Sequence, residues 1–122
     1  MSAAIDILTS STLRHLRARW WNDEFSEFLA ETLRPRPGKR ILDVGCGPGT
    51  GEFSIGRLHV SQLRLVGIDI LVDKVASARR EIASHNIRAS FAAGDAARLP
   101  FKCGVFDSAY CVSVLQHVVV VT

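Results

Sequence analysis

The stretch Ile41-Leu42-Asp43-Val44-Gly45-Cys46-Gly47-Pro48-Gly49-Thr50-Gly51 decides the fold of this chain. Its apolar beginning, interrupted only by an aspartate, predicts a short buried strand. The alternating glycines that follow permit a sharp turn and the close approach of a ligand, because glycine has no Cβ. After them the pattern allows a helix, whose first N–H groups have no partner within the helix. A strand, a glycine-rich loop and a helix in this order predict the ligand crevice of an open α/β sheet.

The spacing of the glycines excludes two common kinds of nucleotide loop. A dinucleotide fingerprint has glycine at its first, third and sixth places. Counted from Gly45 the sixth residue is Thr50, and counted from Gly47 it is Glu52. No Gly-Lys-Ser/Thr follows the loop, so a phosphate-binding P-loop is excluded as well. The pattern that remains is Asp-x-Gly-x-Gly-x-Gly, over residues 43–49.

Further strands and helices are predicted after the loop. A helix is expected over 51–60, with Phe53, Ile55 and Leu58 among its apolar positions, and a second strand over 63–69. A helix over 71–86 follows, in which Leu71, Val75, Ala78 and Ile82 repeat at helical spacing and Asn86 suits the end. Residues 89–93 and 108–113 are predicted as the third and fourth strands.

Asp69 ends the predicted second strand, twenty residues beyond Gly49. A βαβ unit with this separation brings such an acid beside the first loop. A carboxylate there can accept two hydrogen bonds from a ribose diol. The alternative is an aspartate that only ends a strand in a turn.

The part of the chain before the glycine loop is predicted to be helical. Leu13, Leu16 and Trp20 lie at helical spacing, and Asn22 or Asp23 is expected to cap a second helix. The residues expected to share its apolar face are Phe25, Phe28, Leu29, Thr32 and Leu33. The prolines and glycine of residues 34–38 end this segment.

Three motifs together resemble one enzyme family. They are the Asp-x-Gly-x-Gly-x-Gly loop, the Gly-Asp-Ala stretch at 94–96 and the Phe-Asp at 106–107 with the apolar strand after it. This combination resembles the class I S-adenosylmethionine-dependent methyltransferases over residues 39–118. The closest likeness is to small-molecule enzymes of the ubiquinone and menaquinone biosynthesis type, which have a methyltransferase type 11 domain.

The resemblance implies S-adenosyl-L-methionine as cofactor, a small-molecule methyl acceptor and a set of contact residues. The expected contacts are Asp43, Gly45, Cys46, Gly47, Gly49, Asp69, Ile70, Asp95, Ala96 and Ser113. Loop N–H groups would meet the amino-acid tail of the cofactor, and Asp69 the ribose. The carboxylate of Asp95 would meet the adenine amine, and the N–H of Ala96 a ring nitrogen. His117 is either a general base or a structural histidine. No metal is implied, because the sulfonium already activates the methyl group.

The implied fold is a Rossmann-like open parallel α/β sheet with strand order 3-2-1-4. An N-terminal helical segment, residues 1–38, would precede the cofactor-binding half, residues 39–122. Members of the family continue with three more strands, so the chain is expected to be truncated. Its fourth strand would then be an exposed apolar edge at which copies can associate. Two alternatives stay open: a noncatalytic cofactor-binding or pairing fragment, and a nicotinamide-dependent oxidoreductase.

Composition sets the remaining expectations. The 122 residues are 48% hydrophobic and 22% charged, which is typical of a globular domain. The net charge of +3 comes from basic residues scattered along the sequence, which favours a solvated basic surface over a nucleic-acid site. Three cysteines without a CxxC pair indicate a reducing compartment and no metal site. No secretory signal and no membrane span are evident, so a cytoplasmic location is predicted.

Overall fold

The computed structural model describes residues 22–112, which form three helices and four strands. In chain order these are α1 (Asp23–Leu33), β1 (Arg40–Val44), α2 (Thr50–Gly56), β2 (Arg64–Asp69), α3 (Val72–Ser84), β3 (Ala89–Ala93) and β4 (Ser108–Cys111). The strands form one sheet in the order β3-β2-β1-β4, and every neighbouring pair is parallel. The predicted parallel sheet and its strand order are therefore confirmed.

The three helices pack on the face of the sheet that carries Ile41, Leu65 and Phe91. Ile41 and Leu65 are in register on β1 and β2, and their side chains meet Leu29 and Leu33 of α1 in one buried cluster. A second cluster joins Phe91 to the apolar stripe of α3. The location of α2 and α3 on one face agrees with two successive right-handed crossovers.

Helix α1 begins where the sequence predicts, but it buries a narrower face. Asn22 is the cap, because its side-chain oxygen accepts a hydrogen bond from the N–H of Phe25 at 2.9 Å. The buried residues are Ser26, Leu29 and Leu33. Of the residues expected to share the apolar face, Leu29 and Leu33 are buried, whereas Phe28 is 60% exposed. Residues 1–21, which include the first predicted helix, lie outside the described part of the chain, and the boundary at residue 38 stays a prediction.

The two crossover helices are shorter than predicted. Helix α2 ends at Gly56 rather than at residue 60, and His59 then has a positive φ of 53°, which breaks the helical path. Leu58 consequently lies outside the helix and is 48% exposed. In α3 the predicted stripe is buried except for Leu71, which precedes the helix and is exposed. Asn86 has φ 57° just after α3, as expected for a residue that ends a helix.

Candidate cofactor site at the carboxyl edge of the sheet

The loop between β1 and α2 has the turn geometry that its glycines predict. Gly45, Gly47 and Gly49 have positive φ values of 76°, 54° and 90°. Residues with a Cβ rarely adopt this conformation. At Gly49 a side chain would also collide with α3, because a Cβ there would lie 2.8 Å from Ile82 Cγ1. The loop therefore needs these glycines for its own folding, whatever it binds.

The end of β2 holds the loop in place. The N–H groups of Gly45 and Cys46 both donate to the carbonyl oxygen of Ile68, each at 2.8 Å. Asp69 continues this contact, because its Oδ2 accepts from the N–H of Gly47 at 2.9 Å and its Oδ1 accepts from Leu71 at 2.9 Å. Asp69 is thus more than a strand-end turn residue: its carboxylate links the first loop to the start of α3. Each oxygen keeps a further lone pair for another donor.

The Gly-Asp-Ala stretch lies at the same edge. Ala93 is in register with Asp69, and the N–H of Gly94 donates to the Asp69 carbonyl at 3.0 Å. Asp95 comes next and is exposed, and its Oδ1 accepts from the N–H of Ala97 at 2.9 Å. The sequence-predicted acids of strands two and three thus stand at one edge with the glycine loop, where the carboxyl ends of parallel strands meet.

The other predicted contact residues differ in what they can offer a ligand. The Cys46 side chain is buried against Gly67 and Phe91, and burial raises the pKa of its thiol, with the Glu52 carboxyl adding to the shift. Cys46 can therefore present only backbone atoms to a ligand at this edge. Ile70, by contrast, is 67% exposed beside Asp69. Ser113 and His117 lie outside the described residues.

A buried acid cluster lies under the loop, and the sequence reading did not identify two of its three members. Asp43 and Tyr110 are in register on β1 and β4, so their side chains project to the same face of the sheet. Glu52 comes from α2 and is only 1% exposed. Its Oε1 accepts no hydrogen bond from the part of the chain that the structure describes. The signal available in the sequence was a glutamate three residues after a loop glycine, in the first turn of the predicted helix.

Burial and neighbouring charge favour a protonated carboxyl group in the acid cluster. Burial raises the pKa of Glu52 well above its usual range, and the negative charge and hydrogen bond of Asp43 raise it further. The pKa of Tyr110 is raised by burial and then by the charges of Asp43 and Glu52. Two neighbouring carboxyl groups oppose each other's ionisation. Both effects therefore favour the protonated form of Glu52 beneath the loop.

Gly51 is required by the packing of this cluster. A Cβ at this position would overlap the hydroxyl of Tyr110 and lie 2.9 Å from Asp43 Oδ2. Gly51, which follows the Asp-x-Gly-x-Gly-x-Gly motif, therefore makes room for the acids rather than for a turn.

Within residues 22–112, no group of three or more His, Cys, Asp or Glu side chains has the arrangement of a metal site. None of the helices in this range is long and apolar enough to cross a lipid bilayer.

Comparison with known proteins gives a consistent result. A family model described as a methyltransferase domain matches residues 41–121. An O-methyltransferase of Pyrenophora dematioidea is 30% identical in an alignment of 127 positions that covers 92% of this chain and 47% of that protein. A ubiquinone biosynthesis O-methyltransferase of Bordetella parapertussis is 31% identical over 84% of this chain and 47% of its own length. The chain thus spans about half the length of these two relatives.

Solved structures show the same fold. YjhP from E. coli is 32% identical with a TM-score of 0.61, over 76% of this chain and 38% of that one. The [4+2]-cyclase SpnF is 30% identical with a TM-score of 0.64, over 71% of this chain and 32% of that one. The family match favours a methyltransferase over the nicotinamide-dependent oxidoreductase that the sequence had left open.

Proposed function

The chain belongs to the methyltransferase-domain family, and on that premise we propose that it binds S-adenosyl-L-methionine at the carboxyl edge of its sheet for methyl transfer to a small molecule. The observation that carries the proposal is the convergence of three acids from three strands on one glycine loop. Asp43 lies below the loop, and Asp69 accepts a hydrogen bond from it. Asp95 comes two residues after Ala93, which is in register with Asp69.

The chemistry of these residues fits the polar groups of the cofactor. Asp69 has acceptor lone pairs left for a ribose diol, and the exposed Asp95 can accept from an exocyclic amine. The buried acid cluster brings two carboxyl groups, with Glu52 Oε1 unpartnered among the described residues, next to a loop that would carry a cationic ligand. Within the loop, the N–H groups of Gly45, Cys46 and Gly47 are already used by the end of β2. We therefore assign the amino-acid tail of the cofactor to the N–H groups of Thr50 and Gly51. These residues begin α2, and the first N–H groups of a helix have no partner within it.

The residues of this chain would contribute position rather than acid–base chemistry. When bound, S-adenosylmethionine supplies a methyl group that its sulfonium has already activated. The rigid loop, fixed by the end of β2, would hold that group in one place relative to an acceptor. Alignment of two reactants can supply about 7–11 kcal/mol of rate enhancement. An oxygen acceptor is proposed because the relatives at 30–31% identity are named O-methyltransferases. A cytoplasmic location belongs to the same proposal.

Calorimetric titration of the full chain with S-adenosylhomocysteine, and separately with NAD, tests the binding step. We expect S-adenosylhomocysteine to bind and NAD not to bind. Asp95→Ala should weaken S-adenosylhomocysteine binding by about ten-fold or more, the factor expected when a charge-assisted hydrogen bond is lost. Asp69→Ala should weaken it further, because the loop also loses its anchor at Gly47. Asp73→Ala, an exposed acid in the first turn of α3, is the matched control and should bind like the parent.

Folded Asp69→Ala and Asp95→Ala proteins that bind S-adenosylhomocysteine as tightly as the parent would refute the assignment. A methyl-transfer assay with phenolic acceptors then addresses turnover. Binding without turnover would identify the noncatalytic cofactor-binding unit that the sequence left as an alternative, and size-exclusion chromatography would show whether copies associate through β4.

A further inference from the structure

Three arginines come together at the amino edge of the sheet, opposite the glycine loop. Arg40 begins β1 and Arg64 begins β2, and the two are in register. Arg88 precedes Ala89, whose register partner is Leu65, so Arg88 lies beside Arg64. Registered residues of parallel strands project to the same face, and neighbouring strands lie about 4.8 Å apart. These three residues, here called the arginine row, therefore run side by side across three strands.

The arginine row lines an open cleft with a volume of about 1170 Å³. Its other lining residues combine neutral polar side chains, such as Ser61, Gln62 and Asn86, with aliphatic ones. No carboxylate and no Phe, Tyr or Trp lines it within the described residues. The cleft therefore offers concentrated positive charge and hydrogen-bonding groups on a wall that has neither acids nor aromatic rings.

Most of the charge of the row is uncompensated. Arg40 is paired with Asp107, whose Oδ2 lies 3.4 Å from its Nε and also accepts from its backbone N–H at 2.8 Å. Arg64 and Arg88 are exposed, and neither makes a salt bridge with a carboxylate of residues 22–112. Like charges placed directly opposite each other on neighbouring strands are destabilising. An anion in the cleft would remove this cost.

We propose that the arginine row binds the di- or triphosphate group of a small molecule. Guanidinium groups form paired hydrogen bonds with phosphate oxygens, and they remain charged at any physiological pH. Three side chains on strands about 4.8 Å apart span roughly 10 Å, which suits a few linked phosphoryl groups. Proteins that hold single-stranded nucleic acid add aromatic rings on which bases stack, and the described wall of the cleft has none. A short phosphate chain therefore fits this cleft better than a polynucleotide.

Calorimetric titration of the full chain with inorganic tripolyphosphate at fixed ionic strength tests the proposal. The double variant R64Q/R88Q should bind tripolyphosphate at least about ten-fold more weakly, because it loses two guanidinium groups that can form paired hydrogen bonds with phosphate. The matched control R80Q/K102Q removes the same net charge from two exposed residues outside the cleft and should bind within about two-fold of the parent. R64K/R88K keeps the positive charge but lacks the planar guanidinium group with its paired donors, so it should bind tripolyphosphate with an intermediate affinity.

Two further measurements make the result specific. R64Q/R88Q should retain the circular dichroism spectrum of the parent and its affinity for S-adenosylhomocysteine, which separates this site from the proposed cofactor site. ATP as a second ligand distinguishes the source of the phosphates: tighter binding than tripolyphosphate indicates a nucleotide, and equal binding indicates the phosphate chain alone.

Three outcomes would overturn the proposal. The first is an absence of tripolyphosphate binding by the parent chain. The second is an equal loss of affinity in R64Q/R88Q and R80Q/K102Q, which would show a response to net charge only. The third is tighter binding of a single-stranded oligoribonucleotide than of tripolyphosphate, lost in R64Q/R88Q, because the row would then be a nucleic-acid surface.

Discussion

The two edges of the sheet are built by the same strands and handle charge in opposite ways. At the carboxyl edge, Asp43 and Glu52 are buried together beneath the glycine loop, where burial and neighbouring charge favour the protonated form of Glu52. At the amino edge, Arg64 and Arg88 stay in solvent with their charges intact. A carboxyl group can be buried because its pKa rises until it is neutral. A guanidinium group cannot lose its proton in this way, so its charge must remain exposed or be paired.

This contrast has a consequence for function and stability. The buried acid cluster is part of the packing of the loop, so changes there should affect folding strongly. The arginine row contributes little packing, so changes there should affect ligand and salt responses more than folding. Four substitutions test this difference, beginning with the largest expected effect.

Gly51→Ala should be the most damaging of the four. The added methyl group would overlap the Tyr110 hydroxyl and crowd Asp43, and overpacking of this kind costs about 1–3 kcal/mol or more. The free energy of unfolding in urea measures the loss. Gly94→Ala is the control, since its Cβ would meet Pro100 at an ordinary 3.5 Å. Combining Gly51→Ala with Tyr110→Phe should restore part of the stability, and equal stability of the two glycine variants would contradict this account.

Glu52→Gln should remove a pH dependence of the free energy of unfolding. Glu52 has a higher pKa in the folded chain than its ordinary value of 4.5, so the folded state keeps a proton that the unfolded state releases above that pH. The parent should therefore lose stability as pH rises above 4.5 toward the raised pKa, by at most about 1.4 kcal/mol per pH unit. Urea unfolding at pH 5, 6, 7 and 8 measures this slope. The slope should be absent in Glu52→Gln and unchanged in the exposed control Glu31→Gln; an identical slope in both variants would count against a protonated Glu52.

Arg64→Gln should stabilise the chain slightly in the absence of an anion. Relief of like-charge repulsion along the row is expected to contribute about 0.2–1 kcal/mol at low salt, and this gain should shrink as salt screens the charges. Thermal unfolding at low and high salt measures it, with Arg80→Gln as the control. Tripolyphosphate should reverse the order and make the parent the more stable protein. A gain that persists at high salt would indicate a cause other than charge.

Asp107→Asn should have the smallest effect, and that effect should disappear in acid. The backbone N–H of Arg40, and then its guanidinium, hold the pKa of Asp107 below 3.8. Its contribution to stability is therefore present above that pH and is lost as pH falls through the lowered value. The variant should melt slightly below the parent at pH 7 and show a weaker fall in melting temperature between pH 4 and 2, so that the two proteins converge in acid. A large loss at pH 7 would mean that the exposed ion pair matters more than its geometry indicates.

Helix lengths and buried faces were predicted less well than strands, for reasons visible in particular residues. The bounds of β3 match the prediction, because a short apolar run between turn residues has few alternatives. Helix α2 ends four residues early, since the chain must turn at His59 to enter β2. Phe28 and Leu71 have apolar side chains at helical spacing yet are exposed. The spacing of apolar residues does not predict how much of a helix surface the sheet covers.

The strand order was implied by the resemblance to a family, whereas local pattern in the sequence determined the strands, the glycine loop and the acids at Asp69 and Asp95. These features are short contiguous motifs, and turn chemistry and hydrophobic runs act within a few residues. Only the tertiary structure decided that Glu52 and Tyr110 join Asp43, and that three arginines spaced 24 residues apart form a row. Those groupings depend on the register between strands, a long-range property set when helices pack the strands together. The scattered basic residues of the sequence therefore became a patch only in the folded sheet.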